Sequence, residues 1–229
     1  MIIYDELVTR RKMCRICMQT DPDKIHNGDE FNFDPPVISY WSQWLGHQQP
    51  RILVVGQDFG NVEYFFRERG IDEPGNQTNE NLRKLLFEAG MEVGQPPGHD
   101  PVAPVFLTNS ILCLKSGPMN APIKERWVDA CAQNHLLTLT NYLNPPIVVG
   151  MGTKGWRAVR RVFQLGGTPQ GIKLAAGGSW GTPAGTRVFA VVHCSRLGIA
   201  NRPWPKQVAD WQKIGTALRE LSPSAISDF

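Results

Sequence analysis

Residues 51–60 read RILVVGQDFG, an apolar run that ends in a glycine and is followed by an amide, a carboxylate and an aromatic ring. The run at 52–55 predicts a buried strand, because a short continuous apolar run is typical of a strand covered on both faces. A lone aspartate after a strand, such as Asp58, is usually a turn residue or a helix cap. Its function therefore depends on which other groups the fold brings beside it.

The rest of the chain alternates short apolar runs with longer helical patterns. Strands are predicted at residues 52–55, 105–111, 147–149 and 188–193, and helices at 81–89, 127–143, 153–165 and 205–221. This alternation is typical of a parallel sheet covered by helices. We predict an α/β fold with three layers, α/β/α, around a central, mostly parallel four-stranded sheet. No shift in composition marks a linker, so residues 1–229 are expected to form a single domain. The glycine-rich stretch 166–185 is predicted to be a loop with room for a short hairpin.

The composition is that of a soluble globular protein rather than a disordered one. Of 229 residues, 41% are hydrophobic and 20% are charged, and the mean hydropathy is −0.26. No apolar run reaches the roughly 18 residues of a membrane span, and the N-terminus lacks the long apolar core of a signal peptide. We expect a cytoplasmic monomer with no membrane contact. The net charge of +3 permits an anionic partner without requiring one.

Polar residues suited to chemistry stand at the carboxyl ends of three predicted strands. They are Asp58, Asn109 and His193. Taken singly, each is more often a turn residue, a cap or a satisfied buried group. In an open parallel sheet, however, the ligand crevice lies at the carboxyl ends of the strands. Three such groups at one edge therefore make a candidate site.

Four of the five cysteines form a second candidate site. Cys14 and Cys17 make a C-x2-C pair, and Cys113 and Cys131 follow at wider spacing. In a reducing compartment, four thiols suit a zinc ion or a [4Fe-4S] cluster better than a disulfide framework. The alternative is buried free thiols with a chance C-x2-C pair. Cys194 is interpreted as such a packing residue.

Over residues 14–204 the chain resembles the uracil-DNA glycosylase superfamily. The GQD of 56–58 resembles the first motif, Asn109 the second strand end, and the HCSRL of 193–197 the His-Pro-Ser-Pro-Leu loop. The cysteine spacing resembles another branch, the thermophile-type enzymes with an iron-sulfur cluster. That branch has an alanine where Asp58 stands, so the resemblance implies a chain that would combine the cluster of one branch with the carboxylate of family one.

The resemblance implies hydrolysis of the bond between uracil and deoxyribose in DNA, which leaves an abasic site. It implies that Asp58 orients the attacking water and that His193 stabilises the uracil anion. A structural [4Fe-4S] cluster is expected to tie the N-terminal segment 1–50 to the domain. The remaining implied roles are substrate binding by Gln57, Phe59, Glu63 and Asn109, DNA binding by Ser195, Arg196, Leu197, Arg202 and Lys206, and cluster binding by Cys14, Cys17, Cys113 and Cys131.

The chain departs from the family pattern around the base. Family-one enzymes have a tyrosine that excludes the thymine methyl where this chain has Gly60. Glu63 aligns with a glutamate that serves this purpose in the iron-sulfur branch. The aromatic that stacks on uracil has no clear match, and Phe59, in place of the usual proline, is the nearest candidate. Leu197 matches the leucine that wedges into the base stack, with an ordinary buried loop leucine as the alternative.

Two other functions stay open beside the glycosylase. A lesion-binding protein would flip and hold a base with little or no excision, but Asp58 argues against it. A small-molecule hydrolase or nucleoside-processing enzyme would use the same sheet, but the Leu197 loop and the basic clusters disfavour it. The leading hypothesis is a glycosylase that acts on uracil-containing DNA.

Overall fold

A computed structural model describes residues 4–28, 45–95 and 103–221. Parts of the segments 1–50 and 92–104 therefore lie outside the described residues. The strands are β1 (Ile25–His26), β2 (Leu45–Gly46), β3 (Ile52–Gly56), β4 (Val105–Asn109), β5 (Leu114–Lys115), β6 (Ile147–Met151), β7 (Ser179–Gly181) and β8 (Arg187–Val191). The helices are α1 (Tyr4–Met13), α2 (Ile16–Thr20), α3 (Val62–Arg67), α4 (Gln77–Glu88), α5 (Glu125–Cys131), α6 (Leu137–Leu143), α7 (Gly152–Val162), α8 (Ile172–Ala175), α9 (Arg196–Asn201) and α10 (Trp204–Glu220), with a π-helical segment, Ala132–Leu136, between α5 and α6.

The main sheet has six strands in the order β2-β4-β3-β6-β8-β7. Its four inner strands are parallel and are the four predicted from the sequence, which confirms the α/β fold and the mostly parallel sheet. The prediction of only four strands was wrong, because β2 and β7 add antiparallel edges. Both are too short to produce a readable periodicity. The stretch 166–185 contains only one strand, β7, which pairs antiparallel with β8 beyond the stretch, so the hairpin lies only partly within 166–185.

Helices flank this sheet in two groups. α7 packs on β3, β6 and β8, and α5 and the π-helical segment pack against α7. In the other group, α4 and α10 pack on each other. Gly155 lets α7 approach β3 closely, since a Cβ atom there would lie 2.1 Å from the carbonyl oxygen of Val55. In the described ranges, none of the helices combines the length and the hydropathy that a membrane crossing requires.

The apolar run that begins at Ile52 is the centre of the core. Ile52, Leu53 and Val55 are completely buried and Val54 is 1% exposed. β3 lies between β4 and β6 with helices over the sheet, so no position along it faces water. This explains why the strand is continuously apolar rather than alternating.

The described part of the N-terminal segment packs onto the same core. Leu7 and Ile25 belong to the main hydrophobic cluster. β1 pairs with β5 in a separate two-stranded sheet. The side-chain amide of Asn27, which is buried, donates to the carbonyls of Arg11 (3.0 Å) and Cys14 (2.9 Å). The turn that carries the C-x2-C pair is therefore fixed by hydrogen bonds to a buried amide.

Candidate functional site

A cavity of about 270 Å³, the strand-end cavity, opens where β3, β4, β6 and β8 end. Asp58, Asn109 and His193 all line it. The parallel register accounts for this meeting, since Gly56 of β3 pairs with Asn109 of β4. The structure thus brings together the three polar residues that were expected at one edge of the sheet.

Gly56 allows Asn109 to lie against the end of β3. A Cβ atom at residue 56 would lie 2.7 Å from Oδ1 of Asn109, closer than real side chains approach. Past the strands, the N–H of Ser110 donates to the Gly56 carbonyl (2.9 Å) and its hydroxyl to the Gln57 carbonyl (2.7 Å). The loop that carries Asp58 is therefore fixed relative to Asn109.

The Asp58 carboxylate is nearly buried and is paired with a lysine. Its side chain is 10% exposed, and Oδ2 accepts a hydrogen bond of 2.5 Å from Nζ of Lys115, whose side chain is 2% exposed. Burial raises the pKa of Asp58, and the Lys115 ammonium opposes that rise. The sequence analysis gave Lys115 no role, since a single lysine in a short strand carries no recognisable signal.

His193 follows β8 and is held as a neutral imidazole. Burial lowers its pKa below the ordinary value of 6.5. Its Nδ1 accepts a hydrogen bond of 3.2 Å from the N–H of Ser195. A neutral imidazole whose Nδ1 accepts must carry its proton on Nε2. The backbone therefore sets the tautomer, and His193 is an N–H donor at the strand-end cavity.

Four of the five residues predicted to bind DNA lie at the surface near the starts of α9 and α10. The hydroxyl of Ser195 caps α9 by accepting from the N–H of Gly198 at 3.4 Å. Leu197 is 73% exposed, so it is not the buried loop leucine of the alternative interpretation. Arg196 and Lys206 are exposed as well. An apolar side chain thus projects into solvent between basic ones.

Arg202, the fifth, is engaged within the protein. Its Nε and Nη2 donate to the two carboxylate oxygens of Asp210 at 2.5 and 2.7 Å, and Asp210 is only 2% exposed. Gly177 packs against this pair, since a Cβ there would lie 2.9 Å from Nη2 of Arg202. The guanidinium therefore joins the end of α9 to α10, and the contact of Arg202 with a phosphate stays a prediction.

Glu63 is not brought to the strand-end cavity. It lies exposed in the first turn of α3 and does not belong to the lining. The wall near Gly60 is instead made by Tyr64 and Met119, since a Cβ on residue 60 would lie 3.1 Å from Cδ1 of Tyr64 and 3.2 Å from Sδ of Met119. The Tyr64 hydroxyl donates to Oδ1 of Asp72 at 2.8 Å. The feature of the sequence that could have predicted this wall is a tyrosine, Tyr64, four residues after Gly60.

Beside Tyr64, the same wall includes an aromatic ring and a second carboxyl. Phe59 lines the cavity but is only 9% exposed, because its ring packs against Phe65 (centroids 5.5 Å apart) and Tyr64 (5.8 Å). Asp72 also lines the cavity, and burial raises its pKa to about 6. The sequence analysis missed Asp72, which follows no strand and belongs to no motif.

A second cavity, the cysteine cavity, is lined by all four cysteines predicted to bind metal. They are Cys14, Cys17, Cys113 and Cys131, and the other walls are mainly apolar. Burial, with smaller contributions from the neighbouring thiols, raises the pKa of Cys113 to about 12 and that of Cys17 to about 11. Cys194 lies elsewhere, completely buried, with its Sγ 3.3 Å from the carbonyl oxygen of Thr78.

Four thiols are the donor set of both a zinc site and a [4Fe-4S] cluster. Among the described residues, no group of three or more cysteine, histidine, aspartate or glutamate side chains is close enough to hold one metal ion. A zinc ion requires all four sulfurs at about 2.3 Å from one point. In a [4Fe-4S] cluster each thiolate binds a different iron, so the sulfurs lie farther apart. The four thiols line one cavity, and the group that they bind stays a prediction.

Comparison with known families gives a match over most of the chain. A sequence profile described as the Uracil DNA glycosylase superfamily matches residues 43–214 of the 229. The matched region contains every residue that lines the strand-end cavity, whereas Cys14 and Cys17 precede it. A search of curated proteins found no match.

Proposed function

Because the chain belongs to the uracil DNA glycosylase superfamily, we propose that it hydrolyses the N-glycosidic bond of uracil in DNA and leaves an abasic site. The observation that carries this proposal is the meeting of Asp58, Asn109 and His193 around one cavity. A carboxylate, a carboxamide and a neutral N–H donor are the three groups that the reaction needs. Each acts on a different part of the flipped nucleotide.

Asp58 acts on the sugar side of the bond. The uracil leaves with the bonding electron pair, so the deoxyribose becomes cation-like at C1′, and water then adds its oxygen there and releases a proton. A carboxylate attracts the developing positive charge and accepts a hydrogen bond from the water. A unit charge pair about 4 Å apart at an effective dielectric of ~20 gains roughly 4 kcal/mol, or about three decades in rate.

His193 acts on the base side. Negative charge develops on O2 of the departing uracil, and the Nε2–H that Ser195 enforces on the imidazole is a donor suited to it. Because burial lowers the pKa of His193, the ring is neutral near pH 7 and needs no proton from solvent to act. A preorganised donor of this kind contributes about two to three decades in rate.

Asn109 selects the base. Its side-chain amide can accept from N3–H and donate to O4 of uracil, a pattern that cytosine reverses. One such two-point contact discriminates by about 1 to 3 kcal/mol. Gly56 supports this role, because its missing side chain is what allows the amide to reach the cavity. The loop at Gln57 closes the site beside it.

DNA binding follows from the need to expose the base. A base inside a duplex cannot enter the cavity, so the nucleotide is flipped out at a cost of a few kcal/mol. The exposed Leu197 is suited to fill the vacated stack, and Ser195, Arg196 and Lys206 to contact the phosphates beside it. We propose uracil-containing DNA as the partner.

The four cysteines are proposed to hold a structural [4Fe-4S] cluster. When bound, the cluster supplies cross-links between the N-terminal segment 1–50 and the body of a single domain, and no redox step enters the reaction. Cys14 and Cys17 belong to that segment. Cys113 lies in the loop between β4 and β5, and Cys131 is the last residue of α5. The chain would then pair the cluster of one branch with the aspartate motif of another.

Strand cleavage at an abasic site tests the proposal. A duplex with a single uracil is incubated with the protein and heated in alkali, and strand breaks are counted. We expect breaks from the wild type and a roughly thousandfold lower single-turnover rate from Asp58→Asn, with duplex binding retained. Asp129→Asn, which removes a carboxylate paired with Arg157 outside the cavity, is the matched control.

The outcome separates the rival functions. Tight binding of uracil duplexes without any breaks in the wild type would support a lesion-binding protein. Indifference to DNA would support a small-molecule hydrolase. If the excision rate falls equally in Asp58→Asn and Asp129→Asn, Asp58 has no specific role in the reaction.

A further inference from the structure

Lys115 is a buried cation behind the proposed catalytic carboxylate. It is 1% exposed and is one of the largest fully buried side chains in the described residues. Lysine is almost never fully buried unless it is paired, and Nζ lies 2.5 Å from Oδ2 of Asp58. Lys115 does not line the strand-end cavity. It therefore reaches Asp58 from the protein side, where no substrate can contact it.

The backbone around Lys115 is held on two sides. On one side β5 pairs with β1, which places Lys115 opposite Ile25. On the other side an isolated bridge pairs Lys115 with Asn61. Asn61 donates its amide to the Gly117 carbonyl (2.8 Å) and caps α3 by accepting from the N–H of Tyr64 (2.9 Å). The strand that carries the ammonium and the loop that carries the carboxylate thus form one hydrogen-bonded unit.

The other groups that face Asp58 do not supply a positive charge. The side chain of Gln57 donates a hydrogen bond to the carboxylate, and His193 across the cavity is neutral. Asp72, which lines the same cavity, disfavours a second negative charge once it ionises. None of the described residues that line the cavity is a lysine or an arginine. Lys115 is therefore the counter-charge in contact with Asp58.

Two electrostatic effects compete at this pair. A cation beside Asp58 weakens the attraction of the carboxylate for the cation-like sugar. A protonated Asp58 would give no such attraction, and burial favours the protonated form. Protonation of Asp58 costs more than the nearby cation does, since it removes the whole charge interaction with the sugar and also the acceptor for the water. A lysine that keeps the charge in place is the better compromise.

We propose that Lys115 is a positioning residue that binds Oδ2 of Asp58 from behind the cavity and keeps the carboxylate ionised and aimed at the attacking water. This inference rests on the proposed function. Lys115 acts only through Asp58 and contacts neither base nor sugar. A carboxylate has about four acceptor positions, so Asp58 keeps capacity for the water after it has bound Lys115.

The pH dependence of Lys115→Met provides the test. Single-turnover excision of uracil is measured from pH 5.5 to 9.5. Loss of the ammonium raises the pKa of Asp58 further, so less carboxylate is ionised at any given pH. We expect the acid limb of the profile to shift to higher pH by about 1 to 3 units. The excision rate should fall at least tenfold at the acid end, and this loss should become smaller as the pH rises.

Two comparisons make the result specific. Lys124→Met removes another Lys–Asp contact of 2.5 Å, to Asp21, away from the strand-end cavity, and should leave the profile unchanged. In an Asp58→Asn background, Lys115→Met should change the rate less than about twofold, because the residue through which it acts is already gone. Lys115→Gln, which keeps a donor but not the charge, replaces Lys115→Met if that variant does not fold.

A purely structural role gives a different pattern. It predicts a loss that is equal at every pH and that adds fully to Asp58→Asn, and either finding would overturn the inference. If the wild type excises uracil and both Lys115→Met and Lys115→Gln keep the wild-type pH profile, the role of Lys115 is contradicted and the proposed function stands. A wild type that makes no abasic sites contradicts the proposed function, and the inference falls with it.

Discussion

The strand-end cavity and the cysteine cavity both collect titratable groups with shifted pKa values, but their surroundings differ. Asp58 and His193 face an open volume of about 270 Å³ that a ligand can enter. The four thiols line one cavity with mainly apolar neighbours, and burial raises the pKa of Cys113 to about 12. A shifted pKa alone therefore does not reveal the kind of site. The space in front of the group is more informative, because a cavity of about 270 Å³ leaves room for chemistry on a ligand.

A short stretch of chain joins the two cavities. Cys113 lines the cysteine cavity, and Lys115, two residues later, contacts Asp58 of the strand-end cavity. A variant at Cys113 can therefore disturb the carboxylate through β5. Stability and metal content must be measured before any change in rate is assigned to a cysteine, and the predictions below are arranged to separate the two cavities on that basis.

The largest effect is expected at the cysteine cavity. The purified wild type should be brown, with absorbance near 400 nm from the cluster, and Cys113→Ser should bleach it. Loss of a structural metal site should lower the free energy of unfolding by roughly 4 kcal/mol or more, which denaturant titration measures.

The fifth cysteine gives the matched control for that experiment. Cys194→Ser alters a thiol that is more deeply buried than Cys113 and lies outside the cysteine cavity, and the variant should keep its colour. A colourless and stable wild type, or a Cys113→Ser variant with unchanged absorbance, would contradict the cluster.

The next effect is expected in the rate and not in the stability. His193→Leu removes the Nε2–H donor without supplying another, and single-turnover excision at pH 7.5 should fall by about two decades. The melting temperature should change little, because the ring is half-buried and its described hydrogen bond is to a backbone N–H.

His47→Leu is the control, since Nδ1 of His47 likewise accepts from the backbone N–H two residues later, that of Gln49, at 3.1 Å. The two histidines share a local geometry but only His193 lines the strand-end cavity. Equal rates for both variants would show that the donor contributes nothing to excision.

The fold and the three central site residues were predictable because they follow from local patterns. A buried parallel strand is continuously apolar, and a rule about its carboxyl end then locates Asp58, Asn109 and His193. The strand limits were less accurate: β4 ends at Asn109 and β8 at Val191, earlier than predicted. Apolar residues continue beyond both strands, at Ile111 and Val192, so the sequence does not mark where the ladder of hydrogen bonds stops.

Contacts between distant residues were not predictable. Lys115 and Asp58 are 57 residues apart and meet only because β5 pairs with β1 and bridges to Asn61. Arg202 was expected at a phosphate because basic residues surround it in the sequence. Its partner Asp210 lies eight residues later across the turn between α9 and α10, and only the fold reveals that the pair is buried.

The smallest effect is expected at Leu197, which belongs to neither cavity. The side chain is 73% exposed, so Leu197→Ala should leave the melting temperature unchanged. If the leucine fills the stack vacated by the flipped nucleotide, its loss removes apolar burial only in the duplex complex. Excision from duplex DNA should fall by about tenfold, the scale of a partly buried leucine, while excision from a single strand should hardly change. Leu174→Ala, at a leucine that is 82% exposed on α8, is the matched control, and an equal loss on both substrates would argue that Leu197 supports the loop rather than the open base stack.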